Sequence, residues 1–390
     1  MSGILIHSNA PWTNTGYGNQ VAALAPAIKA SGRPVTLSTN FGLAGGISAW
    51  QGMEILPTGY DTYSTDVLQA HHDYTEHVTQ TPTALLTLFD VWVYKATQLD
   101  KIKAIYSWLP IDHDPTPPEV IAWCQRSNVT PIAMSKFGHS LLSESALEPL
   151  YAPHSVATDI YCPSATVNDQ DGRALLSVPA DAFLVGMVAA NKGINPNRKA
   201  WAENLLAIGK LMRERDDVWL YVHAENRGNQ GGIDLLALAY ACNIPAKRLI
   251  WVDQWAQYAG ISEETMAAIV ASFDVELLCS RGEGFGVPTI EAAACGVPSI
   301  VSNYTAQPEL VEGFGWTADV QPYWDSHQRS WFATPIVDSI VECLLEAYDK
   351  AKQPARRVAA REHAMNYDHE LVFTEHWLPI LQSIDDRLGA

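Results

Sequence analysis

The chain has 390 residues, enough for two domains with a core each, and its 47% hydrophobic content is ordinary for a globular protein. Its formal net charge is −18, from 25 basic and 43 acidic side chains. That balance counts against broad, non-specific binding to nucleic acid, which draws on many cation–phosphate contacts, though it leaves room for a local basic groove.

Ile4–His7 reads as a first strand and Ser8–Gly18 as the loop behind it. Val21, Leu24, Ala25 and Ile28 then share one helical face, with Pro26 predicting a kink or a shortened helix. Gly32 and Pro34 end that helix, and Val35–Ser38 is a second strand. Phe41–Thr81 is rich in Gly, Thr, Tyr and His and gives no clear periodicity. Further strands are expected at Ala84–Leu88, Ala104–Leu109 and Pro131–Met134. The polar, proline-bearing stretch Tyr151–Asp171 reads as a domain junction. A second series follows: strand Phe183–Val188, a helix with Trp201, Leu205, Ile208 and Met212 on one face, and strands Val218–His223, Leu249–Val252, Val275–Cys279 and Ser299–Ser302. Ile336, Ile340, Leu344 and Tyr348 mark a late helix, and Thr374–Leu388 another. Alternation of strands and helices favours parallel sheets covered on both faces. The expected domains are 1–160, 161–350 and a helical segment 351–390 that crosses back to the first.

No apolar run approaches the ~18 residues of a membrane-spanning helix. The opening MSGILIHSNAPW lacks the basic start and long apolar core of a signal peptide, so a cytoplasmic location without membrane insertion is expected. The six cysteines, at 124, 162, 242, 279, 295 and 343, form no C-x-x-C pair and read as buried thiols in a reducing compartment, with no zinc site.

Arg281–Val301, RGEGFGVPTIEAAACGVPSIV, is the most informative stretch. It reads as strand, glycine loop and helix N-terminus. Gly282, Gly284 and Gly286 permit close approach of a ligand to the main chain. Pro288 suits a first helical turn, and Gly296 and Pro298 end the helix. Free amides at a helix start attract anions. Glu283 and Glu291 beside them can accept hydrogen bonds from hydroxyl groups. Those parts suit a ligand carrying phosphates and many hydroxyls, as a nucleotide sugar does.

The segment resembles the E-x7-E signature of the family-four retaining glycosyltransferases, through Ser280, Glu283, Gly284, Phe285, Gly286, Pro288, Glu291, Ala292, Gly296 and Pro298. The resemblance implies the GT-B fold, an α/β architecture of two Rossmann-like doubly wound domains facing across a cleft. It also implies a sugar donor, a UDP-sugar, transferred with retained configuration and with neither cofactor nor metal. Glu283 would then meet the sugar hydroxyls and Glu291 the ribose, with main-chain amides of Phe285, Gly286 and Val287 on phosphate or sugar. Arg198 and Lys199, after the strand Phe183–Val188, look like the basic pair that holds the diphosphate. Their spacing departs from the common pattern: Asn191 stands about where an Arg is often found, and Lys192 competes for the role. In the first half, Gly16 and Gly18 match a glycine loop, and HSNAPWTNTGYG resembles members encoded by bacteriophages.

The acceptor side is less defined. Ser107–Pro118 carries Asp112, His113 and Asp114; His113 or Asp112 is a candidate general base, and the alternative is a proline-bounded polar turn. Asp90, Trp12 and Trp108 are further candidates for acceptor contact. The phage resemblance suggests a hydroxymethylated base in viral DNA as acceptor, against which the −18 charge weighs. A polysaccharide or small-molecule acceptor stays open. So do a nucleotide-sugar epimerase of the same fold and a non-catalytic binder.

Overall fold

The apolar runs fold into two parallel sheets. The computed structural model describes residues 1–94 and 99–390. These form one unit of residues 1–155, 326–330 and 369–390 and a second of 156–325 and 331–368.

The first unit holds strands β1 (Gly3–Asn9), β2 (Val35–Phe41), β3 (Ser48–Trp50), β4 (Met53–Leu56), β5 (Thr83–Leu88), β6 (Ile105–Leu109), β7 (Val129–Ala133) and β8 (Leu150–Tyr151). They form one sheet in the order β3-β4-β2-β1-β5-β6-β7-β8, antiparallel at the β3–β4 edge and parallel elsewhere. Its helices are α1 (Gly16–Ala30), α2 (Leu68–Thr79), α3 (Pro118–Cys124) and α4 (Lys136–Glu144). Pro26 does not shorten the helix, and α1 runs through it. Burial of Val21, Leu24, Ala25 and Ile28 outweighs the single lost helical hydrogen bond. Phe41–Thr81, which had no readable period, supplies the two short strands β3 and β4 and the helix α2.

The second unit holds β9 (Phe183–Val188), β10 (Val218–His223), β11 (Leu249–Trp251), β12 (Val275–Leu278), β13 (Ser299–Ser302) and β14 (Trp316–Ala318), in the order β11-β10-β9-β12-β13-β14. All neighbouring pairs are parallel. Strands β15 (Val320–Asp325) and β16 (Ser330–Pro335) form a separate two-stranded sheet. Helices α5 (Gly172–Leu176), α6 (Trp201–Glu214), α7 (Leu235–Ala241), α8 (Gln254–Ala259), α9 (Glu263–Ala271), α10 (Val287–Ala294), α11 (Val337–Lys350) and α12 (Pro354–Ala364) accompany these strands. The core joins Val185, Met187, Leu220, Val222 and Leu277 of the strands to Trp201, Leu205, Ile208, Ile340 and Leu344 of the helices.

Residues 369–390 return to the first unit as α13 (His369–Val372), a π-helical turn and α14 (Leu378–Leu388). There Asp385 takes both guanidinium nitrogens of Arg33, each at 2.7 Å, and the Ser2 amide at 2.7 Å. All three residues are buried.

Candidate active site

In the second unit the strand order reverses between β9 and β12. A doubly wound sheet opens a crevice at the carboxyl ends of the strands flanking such a reversal. The loops leaving β9, β12 and β13 meet there. The Arg281 amide donates to the Arg198 carbonyl at 2.8 Å, and the buried Asn204 amide on α6 donates to the Cys279 carbonyl at 2.9 Å. The Gln307 carboxamide oxygen accepts from the Ser280 amide at 3.1 Å, and Ser302 Oγ donates to the Ser280 carbonyl at 2.6 Å.

This stitching brings Arg198, Lys199 and Glu283 together. Arg198 Nη1 lies 2.5 Å from Glu283 Oε2, and Lys199 Nζ lies 2.5 Å from Oε1. Arg198 also donates to the Gly282 carbonyl at 2.9 Å. The Glu283 amide donates to Thr305 Oγ1 at 3.0 Å. Glu283 and Lys199 are buried, whereas the Arg198 side chain is 39% exposed. Burial works to raise the Glu283 carboxyl, but the two cations outweigh it and hold the group down to about 2. Burial lowers the Lys199 ammonium, and Glu283 opposes that shift.

Asn191 is no substitute for a cation. Its side chain donates to the carbonyls of Glu225 and Ile233, at 2.9 and 2.7 Å, and accepts from the Ile233 amide, clamping a neighbouring loop. Lys192 is exposed and makes no ion pair among the described residues.

Gly286 precedes α10 with φ 126°, a backbone angle that favours glycine. No side chain caps α10, and the amides of Gly286 and Val287 have no acceptor among the described residues. The Phe285 ring is buried, 5.6 Å from that of Tyr367. Glu291, one helical turn further on, keeps part of its surface accessible. Burial, then Glu276 and Glu263, push its carboxyl up to about 8, against a hydrogen bond from Tyr161. Glu309 lies in a 3-10 turn, Pro308–Leu310.

Glu276 is a residue that sequence reasoning passed over. Within the expected strand Val275–Cys279, Glu276 sits inside β12 and is 1% exposed. A carboxyl in mid-strand, where buried parallel strands are apolar, was the signal available.

In the first unit the placements are mixed. Thr15 caps α1 by accepting from the Gly18 amide at 3.0 Å, so that amide is not offered to a ligand. This corrects the expectation for Gly18, whose absent side chain serves packing instead: a Cβ would lie 2.4 Å from Thr13 Oγ1. Gly16 is exposed at the helix start. Trp12 is 43% exposed, with its indole donating to the Gly42 carbonyl at 2.9 Å. Trp108 is 1% exposed; its indole donates to the Ala152 carbonyl at 2.8 Å and its ring packs edge-on against Trp377. It is a core residue, which corrects its reading as an acceptor contact. His113 is buried, with Nδ1 2.6 Å from Asp112 Oδ1. Asp90 opens a 3-10 turn after β5. Among the described residues no group of three His, Cys, Asp or Glu is placed to hold a metal ion. None of the helices is long and apolar enough to cross a membrane among those described.

Residues 192–322, which carry all of this charge constellation, match the family profile of glycosyl transferases group 1. The serotype-specific mannosyltransferase WbdA of Escherichia coli is 32% identical over 144 residues, 35% of this chain and 16% of that protein. The MMP alpha-(1->4)-mannosyltransferase of Mycolicibacterium hassiacum is 43% identical over 53 residues, 14% of this chain and 13% of the relative. The chain thus spans a minor part of the length of these curated relatives. Among solved structures, sucrose-phosphate synthase of Thermosynechococcus elongatus matches at a TM-score of 0.76 and 16% identity, covering 99% of this chain and 100% of that one. HepE of Anabaena, solved in complex with UDP and glucose, matches at 0.63 and 15%, covering 98% and 100%. The fold is therefore GT-B, and within the second unit residues 192–322 are similar to the glycosyl transferases group 1 profile.

Proposed function

We propose that the protein is a glycosyltransferase that moves a sugar from a nucleotide-sugar donor to a hydroxyl acceptor with retained anomeric configuration. The observation that carries this reading is the Arg198–Glu283–Lys199 constellation beside the open amides of Gly286 and Val287. The two cations suit a leaving nucleoside diphosphate, whose negative charge grows as the glycosidic bond breaks. When a diphosphate takes the cations, Glu283 is released to accept hydrogen bonds from the sugar. Glu291 serves the ribose. Retention comes from the resemblance to the family-four enzymes. The two-carboxylate logic of glycosidases has no counterpart here, since Glu283 is held as an ion-paired carboxylate.

A UDP-sugar is the donor the sequence resemblance favours, and a nucleotide-linked mannose is the rival that the mannosyltransferase relatives bring in. Those relatives also favour a saccharide acceptor over a hydroxymethylated DNA base, as does the net charge of −18. The test mixes the protein with UDP- and GDP-sugars and looks for selective thermal stabilisation, which binding to the native state must produce. Saccharides and modified DNA are then offered as acceptors. Transfer that survives Glu283→Ala would remove the site. Conversion of donor alone to another nucleotide sugar would instead make the protein an epimerase. His113→Ala and Asp112→Asn test the acceptor-side base: an unchanged turnover would remove both residues from that role and favour the leaving phosphate as proton acceptor.

A further inference from the structure

Glu276 is an ionisable group that the donor reading leaves without a task. It stands between Val275 and Leu277 in β12, paired in register with Gly186 on β9 and Ser299 on β13. Its Oε2 accepts from Ser299 Oγ at 2.9 Å, and the Thr289 hydroxyl, in the first turn of α10, bonds to the same carboxyl. Both hydroxyl residues are themselves buried. Among the described residues the carboxyl makes no ion pair, and burial works against its charged form while the two hydroxyls and Lys199 favour it. The charged groups that face it are Lys199 from the loop before α6, Glu283 from the loop after β12 and Glu291 from α10.

We propose that Glu276 is the positioning residue of the cation pair: it backs Lys199 as a second carboxyl, and a donor diphosphate taken by Arg198 and Lys199 draws one proton onto Glu276. This rests on the donor-site reading above. Without ligand, Lys199 bonds to Glu283 and interacts electrostatically with Glu276. Two cations and two ionised carboxylates leave the cluster neutral, a poor site for a dianion. Protonation of Glu276 gives it one net positive charge. A diphosphate at the pair disfavours any buried carboxylate nearby, and the group with the least to lose is the one that no cation bonds directly. Burial already brings this carboxyl up to about 7, within reach of neutral solution. The proton comes from solvent and goes to a Glu276 carboxyl oxygen, with no bond in the donor changed. Ser299 and Thr289 can keep their hydrogen bonds to either form.

The experiment is calorimetric titration of the full chain with UDP-glucose and GDP-mannose, whose diphosphate diesters do not ionise near neutrality. At pH 7.5, in two buffers of different ionisation heat, the wild type should take up a large fraction of one proton. Its Kd should rise by up to about tenfold per pH unit above pH 7. Glu276→Gln, which keeps the size and the hydrogen-bonding atoms, should bind with no uptake and a flat profile. In steady state the donor KM should lose its pH dependence while that of kcat remains. Wild-type binding without uptake would overturn the proposal. So would undiminished uptake in Glu276→Gln, which would put the proton on Glu291. Should Glu276→Gln not fold, Glu291→Gln decides: uptake retained supports Glu276, and uptake lost overturns it. Failure of both probes to bind the wild type would remove the donor reading itself, and this proposal with it.

Discussion

Lys199 Nζ and Glu283 Oε1 stand 2.5 Å apart, and both side chains are buried. The ammonium proposed to meet a ligand is held by a carboxylate of the same chain. An anionic ligand must therefore share Lys199 with Glu283 or displace that carboxylate.

Glu283→Gln should expose this competition. The substitution keeps the shape and frees both cations. Inorganic pyrophosphate should then raise the melting temperature of Glu283→Gln by more than it raises that of the wild type. Sugar transfer should fall by roughly 10²-fold or more, the size of loss seen when one polar contact to the reacting centre is removed. A thermal shift series read beside an activity assay checks both halves.

The buried carboxyl of Glu276 makes stability depend on pH in a defined direction. Its native value, about 7, lies above the ordinary 4.5. Between those values the folded chain binds a proton that the unfolded chain has lost, so stability declines as pH rises through that window and levels off above it. Glu276→Gln removes the decline. Urea unfolding at pH 5 and pH 8 should show the variant gaining on the wild type at the higher pH, by on the order of 1–3 kcal/mol.

Arg33 and Asp385 give the opposite dependence. The hydrogen bonds from Arg33 hold the Asp385 carboxyl well below the usual carboxylate range. That contribution is complete above the unfolded value near 4 and is lost as pH falls below it. Asp385→Asn leaves a buried guanidinium without its partner and should cost about 3–5 kcal/mol at pH 7. The loss should shrink in acid, as unfolding midpoints at pH 3 and pH 7 would show.

Much of the second unit could be read from residues alone. Its strands are short apolar runs set between helices with clear faces, and β9, β10 and β13 fall where that pattern predicts. The pairing of Arg198 and Lys199 with Glu283 was legible only as a resemblance, because the loops carrying them are 84 residues apart at their closest ion pair. Glu276 was overlooked because four apolar neighbours outweigh one carboxyl in any averaged pattern. β3 and β4 escaped notice because strands of three and four residues leave too few positions for a period to register. Gly18 matches a ligand loop in sequence because a glycine needed for packing and one needed for binding look the same in one dimension.

Gly286 tests the loop directly. With φ 126°, an added Cβ is strained whatever the space, and it would lie 3.1 Å from Leu310 Cδ1. Gly286→Ala should cost about 1–3 kcal/mol and turn the open amides away from their present direction. A lowered melting temperature together with a weakened thermal shift from UDP-glucose and GDP-mannose is the expected result.

The first unit is interrupted. Residues 156–325 and 331–368 belong to the other unit, and residues 369–390 complete the first by setting Asp385 against Arg33 and Ser2. A ribosome makes these pieces in chain order. The second unit can thus mature while the earlier-made portion still waits for its closing helices, reversing the usual N-terminal-first sequence of assembly.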